Sequence, residues 1–220
     1  MDISLLSASG LEYLFRWGHF LFGVTWVGLL YYFNFVQTEY FKVADPDAKA
    51  DVLQKLAPRA LWWFRWAAMF TFLSGLVLLF FKAAAANLYI YTGALLGTLM
   101  FLNVWLIIWP NQKKVIAGAA DAAAAGAAAG LASRTNTLFS APMLFFMGAS
   151  THLPAGMAPD GAYTIASGAS SVAMVIAIVV ILALQANALW GKTGPITSVK
   201  GAIGYSLLLT LVLYLILEAF

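Results

Sequence analysis

Residues 11–36 read LEYLFRWGHFLFGVTWVGLLYYFNFV, an apolar run of the length that a bilayer accommodates and water does not. At 1.5 Å per residue, about 20 predominantly apolar residues cross the hydrocarbon core as a helix. The run does not read as a cleavable signal peptide. Its flank carries Asp2 and Glu12 instead of a basic region, and no A-x-A site follows it. Further candidate spans cover about 60–81, 88–109, 136–153, 163–190 and 202–220. Only 10% of the residues are charged and 63% are hydrophobic, whereas a soluble domain carries about 25% charged residues. The expected fold is therefore all-α: a polytopic membrane helix bundle of about six transmembrane helices, one integral membrane domain over residues 1–220 set in the lipid bilayer.

The connections carry the orientation signal. Lys42, Lys49, Lys55 and Arg59 follow the first span, with a turn at Asp45-Pro46-Asp47. Lys113, Lys114 and Arg134 follow the third, and Lys192 and Lys200 the fifth. The other side holds only Lys82 outside a span. By the positive-inside rule both termini are expected on the periplasmic side. Trp17, Trp62, Trp63, Trp109 and Trp190 fall near span ends, as an interfacial aromatic belt requires. Pro110 is expected to end the third span, because proline cannot continue the hydrogen-bond ladder. Residues 111–134, rich in alanine and glycine, read either as a cytoplasmic helix or as a linker, with helix propensity favouring the first. Pro142 is expected to kink the fourth span, and Pro154 to stop it. Gly93-x-x-x-Gly97 and the run Ser167-Gly168-Ala169-Ser170-Ser171 offer small-residue faces for close helix approach.

Composition also removes whole classes of function. The net charge of +3 comes from few groups and forms no basic stripe that could follow phosphates, so no nucleic-acid partner is expected. With no cysteine there can be no disulfide, iron–sulfur cluster or cysteine-bound zinc. A metal or haem would have to be held by His, Met, carboxylate or Tyr, and there are only two histidines. No phosphate loop, serine-hydrolase elbow or H-E-x-x-H motif occurs.

On the first helix Glu12, Arg16, His19, Gly23 and Trp26 recur at steps of four, three, four and three, which places them on one face. Glu12 and Arg16 read as an interfacial ion pair. An ionisable residue deeper in a span usually faces the bundle interior and marks a candidate site. That residue is His19. His152 closes the fourth span, so the topology brings both histidines to the outer leaflet. Three readings stay open: haem or bare-metal ligation by His19 and His152, two structural histidines bonded to neighbouring helices, or a proton relay. Met143, Met147 and Met157 flank His152 and are alternative axial ligands, although methionine in an apolar helix is usually packing. Arg65, two turns inside the second span, reads as a snorkelling side chain or the partner of a buried acceptor.

The segment RWGHFLFGVTWVGLLYYFNFVQ, the motif WPNQKKVI after the third span, and RTNTLFSAPMLFFMGASTHLP on the fourth resemble the membrane domain of bacterial membrane-bound urate oxidase (urate hydroxylase). The resemblance covers about the first three quarters of the chain and is weakest after Tyr163. It implies a multi-pass inner-membrane protein of purine oxidation whose electrons pass to a fused cytochrome c domain. His19 and His152 match that family's two histidines, and Arg16, Trp26, Arg134 and Asn136 fall in the same motifs. This chain ends at Phe220 without a C-x-x-C-H motif. The expectation is a redox subunit with haem b or a metal at His19 and His152, passing electrons to a separate periplasmic cytochrome c or a larger membrane complex. If the chain is an enzyme, it is expected to be an oxidoreductase. Two alternatives are a non-catalytic accessory subunit of a respiratory or oxygenase complex, and a transporter or channel. The substrate is not assigned.

Overall fold

A computed structural model describes residues 4–82, 86–153 and 171–219. The expectations placed on Pro154, Met157, the start of the 163–190 span and Ser167–Ser170 lie outside the described residues. Six long helices account for most of the rest: α1 (Ala8–Val43), α2 (Pro46–Phe81), α3 (Leu88–Ile116), α4 (Ala122–His152), α5 (Ser171–Trp190) and α6 (Val199–Ala219). No strand occurs among the described residues. The fold is all-α, as the hydropathy pattern requires.

By length and composition α1, α2, α3, α5 and α6 can each cross a membrane, which makes this a multi-pass membrane protein. Helix α4 has 31 residues, about 46 Å of helix. It is less apolar because Arg134, Thr135, Asn136, Thr137 and Ser140 interrupt it. All five are buried, so their polarity faces protein and not lipid. Lipid instead has a broad apolar surface to wet, including Phe20, Val24, Phe80, Leu106, Val179 and Leu207.

The chain divides into two compact units. One comprises Met1–Ala84 and Phe101–Ser133, the other Ala85–Met100 and Arg134–Phe220. In the first, α1 packs along α2, burying Trp26, Val27 and Leu30 with Leu61, Phe64, Ala67 and Ala68. Phe72 stacks on Phe101 at 4.2 Å between centroids, and Trp66 meets Trp105 edge-on at 5.6 Å. In the second, Gly93 and Gly97 bring α3 against α4. A Cβ on Gly93 would stand 3.0 Å from Met147 Cγ and 3.1 Å from its backbone nitrogen. Near Gly97 the neighbours are Met147 Cε and Met143 Sδ, at 3.4 and 3.5 Å. At Gly93 a Cβ would force Met147 to give way by a few tenths of an ångström, whereas at Gly97 it would meet ordinary contacts.

Helix starts and stops follow local chemistry. Ser7 caps α1 by accepting from the Gly10 amide at 3.1 Å. Ala44 and Asp45 leave the helical ladder, and Pro46 opens α2 at a position where no amide donor is needed. Gly118 takes a left-handed conformation (φ 63°) to turn the chain between α3 and α4. Lys114 donates to Asp121 across that turn at 2.6 Å, and this hydrogen bond holds the Asp121 carboxyl below the usual carboxylate range.

Pro110 does not end α3, contrary to the expectation from its missing amide. The turn before it, Asn103–Ile108, is π-helical, and the Trp109 amide donates five residues back to Val104. The same arrangement precedes Pro58, where Val52–Leu56 is π-helical and the Ala57 amide donates to Val52. A widened turn moves carbonyls away from the pyrrolidine ring, which otherwise collides with the carbonyl four residues earlier. Side chains then satisfy the displaced acceptors: Asn111 donates to Ile107 O at 2.8 Å. A third π-helical turn, Tyr32–Gln37, has Thr38 donating to Phe33 O at 2.6 Å and Asn34 to Leu30 O at 2.9 Å.

Pro142 sits inside α4 without terminating it. Its missing amide would have bonded Leu138 O. Ser206 on α6 supplies the replacement, donating to Leu138 O at 2.8 Å, with Thr137 O at 3.2 Å. The Ala141 amide in turn approaches Ser206 Oγ at 3.3 Å. The carbonyl freed by Pro142 is thus met from a neighbouring helix. Replacing Ser206 with Ala is expected to destabilise the protein by about 1–2 kcal/mol. In a Pro142→Ala background, where the backbone amide is restored, the cost should fall by at least half. Reversible unfolding in mixed micelles of the four variants in this double-mutant cycle measures the difference; equal costs in both backgrounds would disprove the repair.

Candidate functional site

His19 lies in the first unit, part-buried between α1 and α2. Its neighbours on α2 are Thr71, Ser74 and Gly75. The stretch T-x-x-S-G gives that turn small and hydroxyl-bearing groups, and the imidazole rests on it. A Cβ at Gly75 would stand 3.1 Å from His19 Cε1 and 3.5 Å from Nδ1, so the ring occupies the space that glycine leaves. Gly23, one turn along α1, would meet only Thr71 Cγ2 at 3.9 Å.

The hydrogen bonds decide the tautomer. His19 Nδ1 lies 3.1 Å from Ser74 Oγ. The single hydroxyl proton of Ser74 is directed to backbone carbonyls, Phe70 O at 2.6 Å and Thr71 O at 3.0 Å. Ser74 Oγ therefore has only a lone pair to offer His19. The Thr71 carbonyl, also beside the ring, can only accept as well. His19 must donate from Nδ1, which leaves the lone pair on Nε2. An imidazole oriented in this way by its other nitrogen is the usual form of a histidine that ligates a metal.

Two turns further along the same face, Trp26 is 2% exposed. Its indole Nε1 is buried and meets no acceptor among the described residues. A buried N–H costs about 1–3 kcal/mol unless it is bonded, so this donor is suited to an acceptor on a bound group. Arg16 does not join it: its guanidinium is paired with Glu12 at spacing four and is partly exposed. A groove of about 280 Å³ between α1 and α2, lined by Leu14, Phe15, Gly18, Phe22, Phe70 and Ser74 among others, runs beside the histidine.

The second unit holds the other candidates. Asn136 is fully buried and donates to Met100 O at 2.9 Å, the carbonyl just before the widened turn of α3. Arg134 is buried beside it in sequence. His152 is exposed at the last residue of α4. Near that end Asn87 donates to Ser150 O at 2.9 Å, and buried Tyr89 donates to the Glu218 carboxylate. Met143 and Met147 pack against Gly97 and Gly93, so both act as filling here, and Met157 lies outside the described residues. No group of three or more His, Asp or Glu that could enclose a metal ion occurs among the described residues. A haem iron asks less of the protein, one or two axial nitrogens.

Sequence reasoning picks out His19 and Trp26 from their periodicity. It misses Ser74 and Gly75, although a serine–glycine pair in an otherwise bulky apolar helix is a detectable signal. Removing Ser74, one of the two acceptors, is expected to loosen the tautomer. In Ser74→Ala, the imidazole should shift measurably from the Nδ1–H toward the Nε2–H form, read by nitrogen NMR of histidine-labelled protein. An unchanged spectrum would rule Ser74 out as the orienting group.

A comparison with family profiles matches residues 80–203, more than half of the chain, to the family described as urate oxidase N-terminal. No curated protein sequence and no solved structure matches it.

Proposed function

The chain belongs to the urate oxidase N-terminal family, and from that premise we propose that it is a redox subunit of a bacterial inner membrane. The observation that carries this reading is the His19 imidazole, held in a membrane helix with Nδ1 donating and Nε2 bearing the lone pair. His19 would hold haem b through its Nε2 nitrogen. Trp26 Nε1 would donate to an acceptor on the bound group. Haem is favoured over a bare metal because the described residues lack the extra anionic ligands that an enclosed metal ion needs.

When bound, such a group would accept and release single electrons. The residues of this chain have other tasks. Ser74 and Thr71 hold the ring and its proton at Nδ1, Gly75 gives the imidazole room, and Phe22, Phe70 and Leu73 line the apolar groove beside it. The electrons would leave to a separate acceptor, a periplasmic cytochrome c or a larger membrane complex. A purine such as urate is the substrate class to which the family description points.

The test is an optical spectrum of the full chain, purified in mild detergent from haem-supplied cells, with haem and metal content measured. The expected result is a Soret band that falls to background in His19→Ala. Absence of the band and of bound metal in the wild type would overturn the redox reading and leave the accessory-subunit alternative, which a mild-detergent pull-down examines.

A further inference from the structure

Four cations of the first unit are paired with acids on the same helix or in the turn that follows it. Arg16 pairs with Glu12, Lys42 with Glu39 at 2.7 Å, Lys55 with Asp51, and Lys114 with Asp121 at 2.6 Å. Lys49, Arg59, Arg65 and Lys113 have no such pair among the described residues, and what sets Arg65 and Lys113 apart is the group they share. They reach from different helices, α2 and α3, to one indole. The Arg65 guanidinium carbon stands 3.7 Å from the centroid of the Trp109 ring, and Lys113 Nζ lies 5.5 Å from it. Neither has a carboxylate partner among the described residues.

Both cations gain from the electron-rich face of the indole, which is worth about 0.5–2 kcal/mol at such a site. The ring cannot cancel two positive charges that also repel each other. An arrangement of this kind is completed by an anion.

The height of the cluster identifies the anion. Lys113 is exposed, and one turn along α2 from Arg65 the indoles of Trp62 and Trp63 are 46% and 60% exposed. Exposed tryptophans next to solvated lysine mark the membrane–water boundary. At that depth the abundant anion is a lipid phosphate. We propose that Arg65, Trp109 and Lys113 form a binding site for the phosphodiester of an anionic phospholipid. The guanidinium donates to phosphate oxygens from the membrane side, the ammonium adds charge from the water side, and the indole holds the two at a fixed spacing. The acyl chains then lie along the apolar flank of the helices, where Leu106 is 69% exposed.

The site is independent of the proposed redox role. It is tested on the full chain, delipidated in neutral detergent, by thermal unfolding during titration with dioleoylphosphatidylglycerol, dioleoylphosphatidylcholine or inorganic phosphate. The phosphatidylglycerol is expected to raise the midpoint saturably, and the other two are not. Lys113→Gln and Arg65→Gln should each raise the apparent dissociation constant about fivefold, the value of one cation near a lipid phosphate. Lys42→Gln, which removes a charge already paired, should leave it unchanged. If Arg65→Gln fails to fold, the exposed Lys113→Gln decides alone. An equal response to phosphatidylcholine, stabilisation by inorganic phosphate alone, wild-type affinity in Lys113→Gln, or equal weakening by Lys42→Gln would each overturn the proposal.

Discussion

A backbone carbonyl that loses its donor in hydrocarbon has no water to turn to, and the cost is several kcal/mol. Among the described residues the chain leaves the regular helical ladder at three π-helical turns and at a proline inside α4. The side chains of Thr38, Asn34, Asn111 and Ser206 stand at three of these irregularities, each donating to a nearby carbonyl. Asn34 also donates to Ser133 Oγ at 2.7 Å, tying α1 to α4 within the first unit. Asn136 likewise bridges to Met100 O. The buried polar residues of the molecule thus have a structural task before any chemical one. They let irregular helices exist where lipid would otherwise forbid them.

His19 follows the same logic. The hydroxyl of Ser74 satisfies its own proton demand on its own helix, in the manner of many intramembrane serines, and in doing so becomes a pure acceptor. That consequence passes to the imidazole and selects its tautomer. A ligand-ready Nε2 is therefore a by-product of how a lone serine behaves in an apolar helix. Gly75 adds the steric half of the arrangement by leaving space for the ring.

Much of this architecture is legible in the residues themselves. The apolar lengths around 11–36, 60–81 and 202–220 identify helices because a bilayer admits little else, and the step pattern of Glu12, Arg16, His19, Gly23 and Trp26 identifies a face. The Glu12–Arg16 pair and the close approach at Gly93 and Gly97 are local enough to be read in the same way. Pro110 is different. Whether a proline stops a helix depends on whether the preceding turn widens, and that depends on donors such as Asn111 together with packing that no local pattern encodes. Arg65 is different for a related reason: its partner is an aromatic ring on another helix, far along the chain, so snorkelling is the simpler reading of the sequence. Ser206 as the partner of Leu138 is a tertiary fact of the same kind.

The Ser206–Leu138 bond also has a bearing on biosynthesis. As the chain leaves the ribosome, α4 emerges with an open carbonyl opposite Pro142, and the hydroxyl that closes it lies on a helix made later. Until α6 arrives, α4 must borrow water, a chaperone or a slack conformation. The order of synthesis is thereby written into the second unit, where α4 can reach its final state only when α6 has been delivered.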